Sequence, residues 1–137
     1  MTTATNQLRA VPLFAGIPDR SIDAIGAVTR EASYESGADL VREGEPGESF
    51  IILIEGAATV RQGGVELATM GPGDFLGEIA LIDRGTRTAT VTADQPVKGL
   101  VIGCDDFARL MDEQPPIRLG VLMALTERIR RHPVPLD

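Results

Sequence analysis

The sequence predicts a single α+β domain in which a β-roll is flanked by helices at its N- and C-terminal ends. Three observations predict this class. Turn-forming residues recur at intervals of roughly ten residues through the middle of the chain, which is typical of sandwiches, barrels and jelly rolls. Apolar residues recur at helical spacing before and after that region. The length of 137 residues suits one domain.

An N-terminal helix is predicted at about residues 19–30. The segment Pro18-Asp19-Arg20-Ser21 is typical of a helix start, and Ile22, Ile25 and Val28 recur every three residues. Residues 1–7 are polar and are expected to be frayed. Between these two segments lies a compact apolar group that we expect to close over a core, formed by Leu8, Val11, Leu13, Phe14 and Ile17.

Short strands separated by breaks rich in glycine, proline and aspartate follow. The predicted strands are residues 39–42, 49–55, 57–61, 65–70, 89–93 and 97–103. The uninterrupted apolar run at residues 50–54 indicates a strand that is buried on both faces. The sequence therefore predicts a roll of alternating strands and tight turns.

The chain returns to helix after Gly103. Asp105 and Asp106 suit a first turn, and apolar residues follow at helical spacing. Pro115-Pro116 separates this helix from a last one, which is predicted to run to about residue 131. One face of the last helix is predicted to carry an apolar stripe that suits a homodimer, formed by Ile117, Val121, Leu122, Leu125 and Ile129.

Composition excludes several classes of protein. The net charge of −7 argues against a nucleic-acid surface, which needs clustered Lys and Arg. The one cysteine, Cys104, follows an apolar run, so we expect a buried thiol and a reducing compartment, the cytoplasm. No apolar run is long enough to cross a membrane, and the N-terminus lacks the pattern of a signal peptide. A single histidine is too few for the usual metal-dependent hydrolase sites.

The segment from Gly77 to Ala89 places backbone amides, a carboxylate and a guanidinium between two predicted strands. Gly77 permits close approach of a ligand, and a helical turn directly after it would present free amides to an anion. Arg87 supplies a planar fork that matches phosphate oxygens. Glu78 suits a sugar hydroxyl better than a phosphate. Each residue alone would be unremarkable, but together they indicate a pocket for a phosphorylated sugar.

Residues 77–91, GEIALIDRGTRTATV, resemble the phosphate-binding cassette of the cyclic nucleotide-binding domain family. This family includes the catabolite activator protein, the regulatory subunits of cAMP-dependent protein kinase and cyclic-nucleotide-gated channels. The resemblance extends over about residues 8–131, which implies one cyclic nucleotide-binding domain spanning residues 1–137. It is supported by Pro12-Leu13-Phe14, Gly44-Glu45-Pro46-Gly47 and residues 50–56, FIILIEG.

The resemblance implies a role for each matching residue. Glu78 matches the glutamate that accepts the ribose 2′-hydroxyl, and Arg87 matches the arginine that pairs with the cyclic phosphate. The positions whose amides face the ribose or phosphate are matched by Gly77, Ile79 and Ala80. Thr88 and Ala89 match two further positions that line the phosphate.

The resemblance implies cAMP as the favoured ligand, with cGMP as the alternative. Family members that prefer cGMP use a threonine at the position of Thr88, but bacterial cAMP receptors also carry serine or threonine there. The bacterial transcription factors continue their last helix into a DNA-binding domain; here Pro133 is expected to end that helix, so DNA binding by these residues is not expected. The residue that covers the base is left open among Arg128, Arg131 and His132.

We therefore expect a regulatory sensor module in which the nucleotide moves the C-terminal helices to signal to an unidentified effector protein. The alternative is a protein–protein interaction module on the same fold, with a binding site that has decayed. Intrinsic catalysis is not expected, since the sequence lacks a phosphate-binding P-loop and a dinucleotide fingerprint. No metal or other cofactor is implied beyond the bound cyclic nucleotide.

Overall fold

In the computed structural model, the described part of the chain comprises residues 7–9, 11, 14, 16–76 and 86–131. The predicted layout of helix, β-roll and two helices is present in it. The elements follow in the order α1 (Asp19–Val28), β1 (Thr29–Tyr34), β2 (Asp39–Val41), β3 (Ser49–Glu55), β4 (Ala58–Gln62), β5 (Val65–Met70), β6 (Phe75–Leu76), β7 (Thr90–Ala93), β8 (Val97–Gly103), α2 (Cys104–Glu113) and α3 (Pro115–Arg131). None of the helices in these residues is both long and apolar enough to cross a membrane.

The roll consists of two four-stranded sheets whose strands pair antiparallel. The first sheet has the order β1-β8-β3-β6, and the second has the order β2-β7-β4-β5. Neighbouring strands in a sheet are therefore far apart in sequence, apart from β4 and β5. β1 and β2, which are joined by a tight turn, lie at the edges of different sheets.

Strand β3 separates two apolar cores because its side chains alternate between the two faces of its sheet. Phe50 and Ile52 pack toward the helices, whereas Ile51 and Leu53 pack between the two sheets. All four are almost completely buried, as the uninterrupted apolar run predicts. On the helical side, the Phe50 ring lies 5.0 Å from that of Phe107, centroid to centroid.

The N-terminal helix is shorter than predicted, and the chain then enters a strand that the sequence pattern does not indicate. α1 ends at Val28, where the Thr29 hydroxyl donates to the Ile25 carbonyl oxygen at 2.7 Å. Residues 29 and 30, predicted to be helical, belong instead to β1, which pairs with β8 over its whole length. Pairing with β8 outweighs local preference there, because β3 occupies only one edge of β8 and β1 satisfies the backbone groups of the other edge.

The C-terminal helices pack against α1 and the first sheet. The side chain of Ser21 in α1 is fully buried, and its hydroxyl donates to Gln114 Oε1 at 2.8 Å, at the junction of α2 and α3. Ile117 and Val121 of α3 are buried in the core. Leu122, predicted to share their face, is instead 57% exposed, and the side chains of Leu125 and Ile129 lie outside the described residues.

Candidate functional site

The structure describes three of the seven predicted ligand-binding residues. Arg87 and Thr88 are half-buried, and Ala89 is buried just before β7. The other four lie outside the described residues, namely Gly77, Glu78, Ile79 and Ala80. So do the candidate base-covering residue His132 and the side chains of Arg128 and Arg131.

The backbone of Arg87 is held by the loop that joins β2 to β3. The Arg87 N–H donates to the Glu45 carbonyl oxygen at 2.7 Å, and the Gly44 N–H donates to the Arg87 carbonyl oxygen at 2.9 Å. Pro46 and Thr86 form an isolated bridge beside them. Gly44 has a φ of 87°, a conformation that glycine adopts without strain. The glycine-rich segment at residues 44–47 thus serves as a scaffold for the predicted phosphate-binding arginine.

The Arg87 side chain is oriented by the start of β3. Its Nη2 donates to the Ser49 carbonyl oxygen at 2.8 Å and lies 3.4 Å from the Ser49 hydroxyl. A guanidinium has five N–H donors in a fixed plane, so this bond restricts the direction of the others. Arg87 is therefore restrained at both its backbone and its side chain.

Arg87 lines a cleft of about 240 Å³ at the side of the roll where edge strands β1 and β2 meet the loop after β2. The apolar part of its wall is formed by Leu40, Val41, Pro46, Ile51 and Val101. The polar part is formed by Arg30, Tyr34, Arg42, Glu45, Glu48, Ser49 and Arg87. Thr88 and Ala89 are not among the described residues of this wall, so the structure unites Arg87 with residues that the sequence analysis did not predict.

Three arginines and two glutamates give the cleft mixed charge, and the arginines differ in how far neighbouring carboxylates balance them. Arg42 Nε lies 3.1 Å from an Asp39 oxygen, and its Nη1 lies 3.7 Å from a Glu45 oxygen. Hydrogen bonds from the Thr92 hydroxyl and then from Arg42 hold the pKa of Asp39 below its usual range. Asp39 therefore stays ionised, and the charge of Arg42 is largely balanced by its carboxylate neighbours.

Tyr34 brings a neutral hydroxyl to the same cleft. Burial raises the pKa of its phenol, and the positive charges of Arg30 and Arg87 oppose that rise. The phenol is consequently protonated at neutral pH and can donate a hydrogen bond.

The cleft residues on β1 were missed because β1 itself was not predicted as a strand. The segment TREASY at residues 29–34 carries two charged residues and lacks an apolar run. The available signal was the spacing of Arg30, Ala32 and Tyr34, which share one face once the segment is extended.

Among the described residues, no group of three or more His, Cys, Asp or Glu side chains is placed to hold a metal ion.

Comparisons with known proteins agree with this architecture. The sequence profile of the cyclic nucleotide-binding domain matches residues 31–114, more than half of the chain. A cAMP-dependent protein kinase regulatory subunit from Aspergillus niger is 33% identical over 106 residues, which cover 76% of this chain and 26% of that protein. A cGMP-dependent protein kinase, isozyme 1, from Drosophila melanogaster is 33% identical over 118 residues, covering 80% of this chain and 15% of that protein.

A solved structure shows the same fold. The regulatory domain of Toxoplasma gondii cAMP-dependent protein kinase, crystallised with cAMP, superposes with a TM-score of 0.79 at 27% identity. The match covers 94% of this chain and 49% of that one. The chain thus spans about a quarter of the length of the fungal relative and less of the insect one.

Proposed function

The chain belongs to the cyclic nucleotide-binding domain family, and we propose that it is a regulatory sensor module whose ligand is cAMP. In this proposal residues 1–137 form one domain, ordered over about residues 8–131. The module has no catalytic activity of its own, uses no metal and acts in the cytoplasm on an effector protein. It contacts neither nucleic acid nor membrane.

The observation that carries the proposal is the double restraint on Arg87. Its backbone is bonded to residues 44 and 45, and its Nη2 is bonded to the Ser49 carbonyl oxygen at 2.8 Å. Preorganised charged donors bind phosphate with less loss of side-chain freedom than mobile ones. This support, together with the family, favours a cyclic phosphate as the partner of Arg87.

The other assigned contacts follow from the family resemblance. Glu78 accepts the ribose 2′-hydroxyl, and amides at Gly77, Ile79 and Ala80 face the ribose or phosphate. Thr88 and Ala89 complete the phosphate site. Thr88 does not discriminate between bases, and the two curated relatives are named for different nucleotides, so cGMP is the competing ligand.

We propose that the output is a movement of α2 and α3 against the roll. The loop that holds Arg87 is also bonded to the first residue of α2. Cys104 donates its N–H to the Glu48 carbonyl oxygen at 2.9 Å, and its thiol lies 3.8 Å from the Gly47 carbonyl oxygen. A ligand that binds Arg87 therefore acts on a loop that is in direct contact with α2. If α2 and α3 have two alternative positions, this contact lets the ligand favour one of them.

An interaction module without a nucleotide is the competing function. Three large apolar residues on α3 are 57–64% exposed, namely Leu119, Leu122 and Met123. Such residues suit a protein surface, either an effector or a second copy of the chain. Both functions predict a partner for α3, but only the sensor requires a nucleotide.

Isothermal titration calorimetry with cAMP and cGMP separates the two functions. We expect saturable heat, with cAMP binding more tightly than cGMP. The Arg87→Ala variant should lose at least tenfold in affinity, because charge-assisted bonds to phosphate contribute about 1.5–3 kcal/mol. Arg109→Ala is the matched control, since Arg109 lies in α2 and pairs only with Asp106 and Glu113 among described residues.

Two results would count against the sensor. The absence of heat with either nucleotide at sub-millimolar concentration contradicts nucleotide binding. An Arg87→Ala variant that folds normally and retains wild-type affinity shows that the phosphate is bound elsewhere. Circular dichroism establishes the fold of each variant before titration.

A further inference from the structure

Arg30 is brought to the cleft by the pairing of β1 with β8, and no local sequence pattern predicts its place there. It lies on edge strand β1 opposite Val101 of β8, and Val101 lies opposite Ile51 of β3. The three residues form one row across the first sheet, and all three line the cleft. Adjacent strands are separated by about 4.8 Å, so the Arg30 Cα lies about 10 Å from that of Ile51.

Arg30 differs from the other two arginines of the cleft in its partners. Arg42 is bonded to Asp39 and pairs with Glu45. Arg87 is directed toward Ser49. Among the described residues, the Arg30 side chain has no hydrogen-bond or ion-pair partner, and it is exposed at the wall of the cleft. Its positive charge is therefore available to a ligand.

Tyr34 lies on the same face of β1 as Arg30, four residues further along the strand. The phenol is protonated at neutral pH, since burial raises its pKa against the opposing effect of Arg30 and Arg87. Strand β1 thus presents the Arg30 guanidinium and the Tyr34 hydroxyl to the cleft. Both groups can donate hydrogen bonds to an anion.

The chain as a whole repels anions, because its net charge is −7. An anionic ligand therefore depends on local positive charge to approach the cleft. Glu48 adds to the repulsion, whereas Glu45 is paired with Arg42. Arg30 supplies a positive charge to the cleft in addition to that of Arg87.

We propose that Arg30, assisted by the Tyr34 hydroxyl, is a second anion-recognition residue of the cleft that attracts and retains the phosphate group bound by Arg87. The inference rests on the proposed function for the identity of the ligand. By Coulomb's law, a second positive charge in a solvated cleft, at a separation on the order of 10 Å from a bound phosphate, changes the affinity by roughly two- to tenfold, and salt screens the effect. Arg30 is thus a determinant of affinity and association rate.

The test compares Arg30→Gln, Arg30→Lys and Arg20→Gln with the wild type. Arg20 is exposed in α1 outside the cleft and serves as the matched control. Association rates and affinities for a fluorescent cAMP analogue are measured by stopped flow and titration at several salt concentrations. Arg30→Gln should lower the affinity two- to tenfold and flatten the salt dependence of the association rate. Arg30→Lys should stay within about twofold of the wild type, since it keeps the charge.

A second arm keeps the inference separate from the proposed function. Inorganic pyrophosphate is titrated into isotope-labelled protein, and the backbone signals of Arg30 and Tyr34 are followed by NMR. Shifts that disappear in Arg30→Gln but persist in Arg20→Gln support the role of Arg30, even if the wild type binds no cyclic nucleotide. Wild-type affinity and salt dependence in Arg30→Gln overturn it, as do unshifted signals when neither nucleotide binds.

Discussion

The hydrogen bond between Ser21 and Gln114 allows a prediction about which partner costs more to remove. Ser21 is completely buried, whereas Gln114 is half-exposed at the end of α2. Removing the serine hydroxyl leaves an amide oxygen that water can reach. Removing the glutamine amide leaves a buried hydroxyl without that acceptor. The two substitutions therefore break the same 2.8 Å bond at different cost.

The expected magnitudes follow from this difference in exposure. Ser21→Ala should lower the free energy of unfolding by about 0.5–1.5 kcal/mol, the net value of a hydrogen bond. Gln114→Leu should lower it by about 1–3 kcal/mol, because the buried hydroxyl also loses its solvation without compensation. The double variant should resemble Ser21→Ala, since it leaves no buried polar group unpaired.

Urea denaturation followed by far-UV circular dichroism measures these values, since the chain has no tryptophan and only one tyrosine. The slope of the unfolding free energy against urea should be the same in all variants. Ser21→Thr, which keeps the hydroxyl, reports the steric cost of changing a packed position. The reasoning is refuted if Gln114→Leu costs no more than Ser21→Ala, or if the costs of the single variants add in the double variant.

Two further predictions concern the turn at Gly56 and the loss of folding stability at acid pH. Gly56→Ala should destabilise the protein by well over about 1 kcal/mol, because a Cβ there would lie 2.4 Å from the Pro96 carbonyl oxygen at a φ of 96°. Gly37→Ala is the control with a similar φ and open space around it, so a smaller loss of unfolding free energy is expected. Asp39 has a lowered pKa, chiefly through the Thr92 hydroxyl, so its stabilising contribution is present above the ordinary value of 3.8 and is lost as the pH falls below it. Unfolding of Asp39→Asn between pH 6 and pH 2 should show a shallower acid dependence than the wild type, and an unchanged slope would contradict this assignment.

The strands of the roll were predictable where the chain carries its own signals. Strands β3, β5 and β8 begin and end where apolar or alternating residues meet turn residues, and their bounds match the predicted ones. β2 ends one residue earlier than predicted, β7 begins one residue later, and β4 is displaced by one residue at both ends. β1 and β6 were not predicted, because β1 is polar and β6 has only two residues. Both become strands by pairing with distant partners.

The residues of the candidate site also fall into those predictable from local sequence and those that only the fold brings together. Arg87 was identified from its local context, since a glycine, a glutamate and an arginine at family spacing lie within one segment. Its restraint by Ser49 and by the loop at residues 44–47 required the fold, because those bonds join segments that are distant in sequence. Arg30 and Tyr34 entered the site only through the pairing of β1 with β8.

The sequence by itself determined the class of fold, the family and the arginine proposed to bind phosphate. These depend on local patterns, namely turn residues, hydrophobic periodicity and the spacing within one segment. The tertiary structure decided where α1 stops, which strands lie at the edges, and which charges share the cleft with Arg87. Those outcomes depend on pairing and burial between residues that are distant along the chain, where the free energy of contact outweighs local preference.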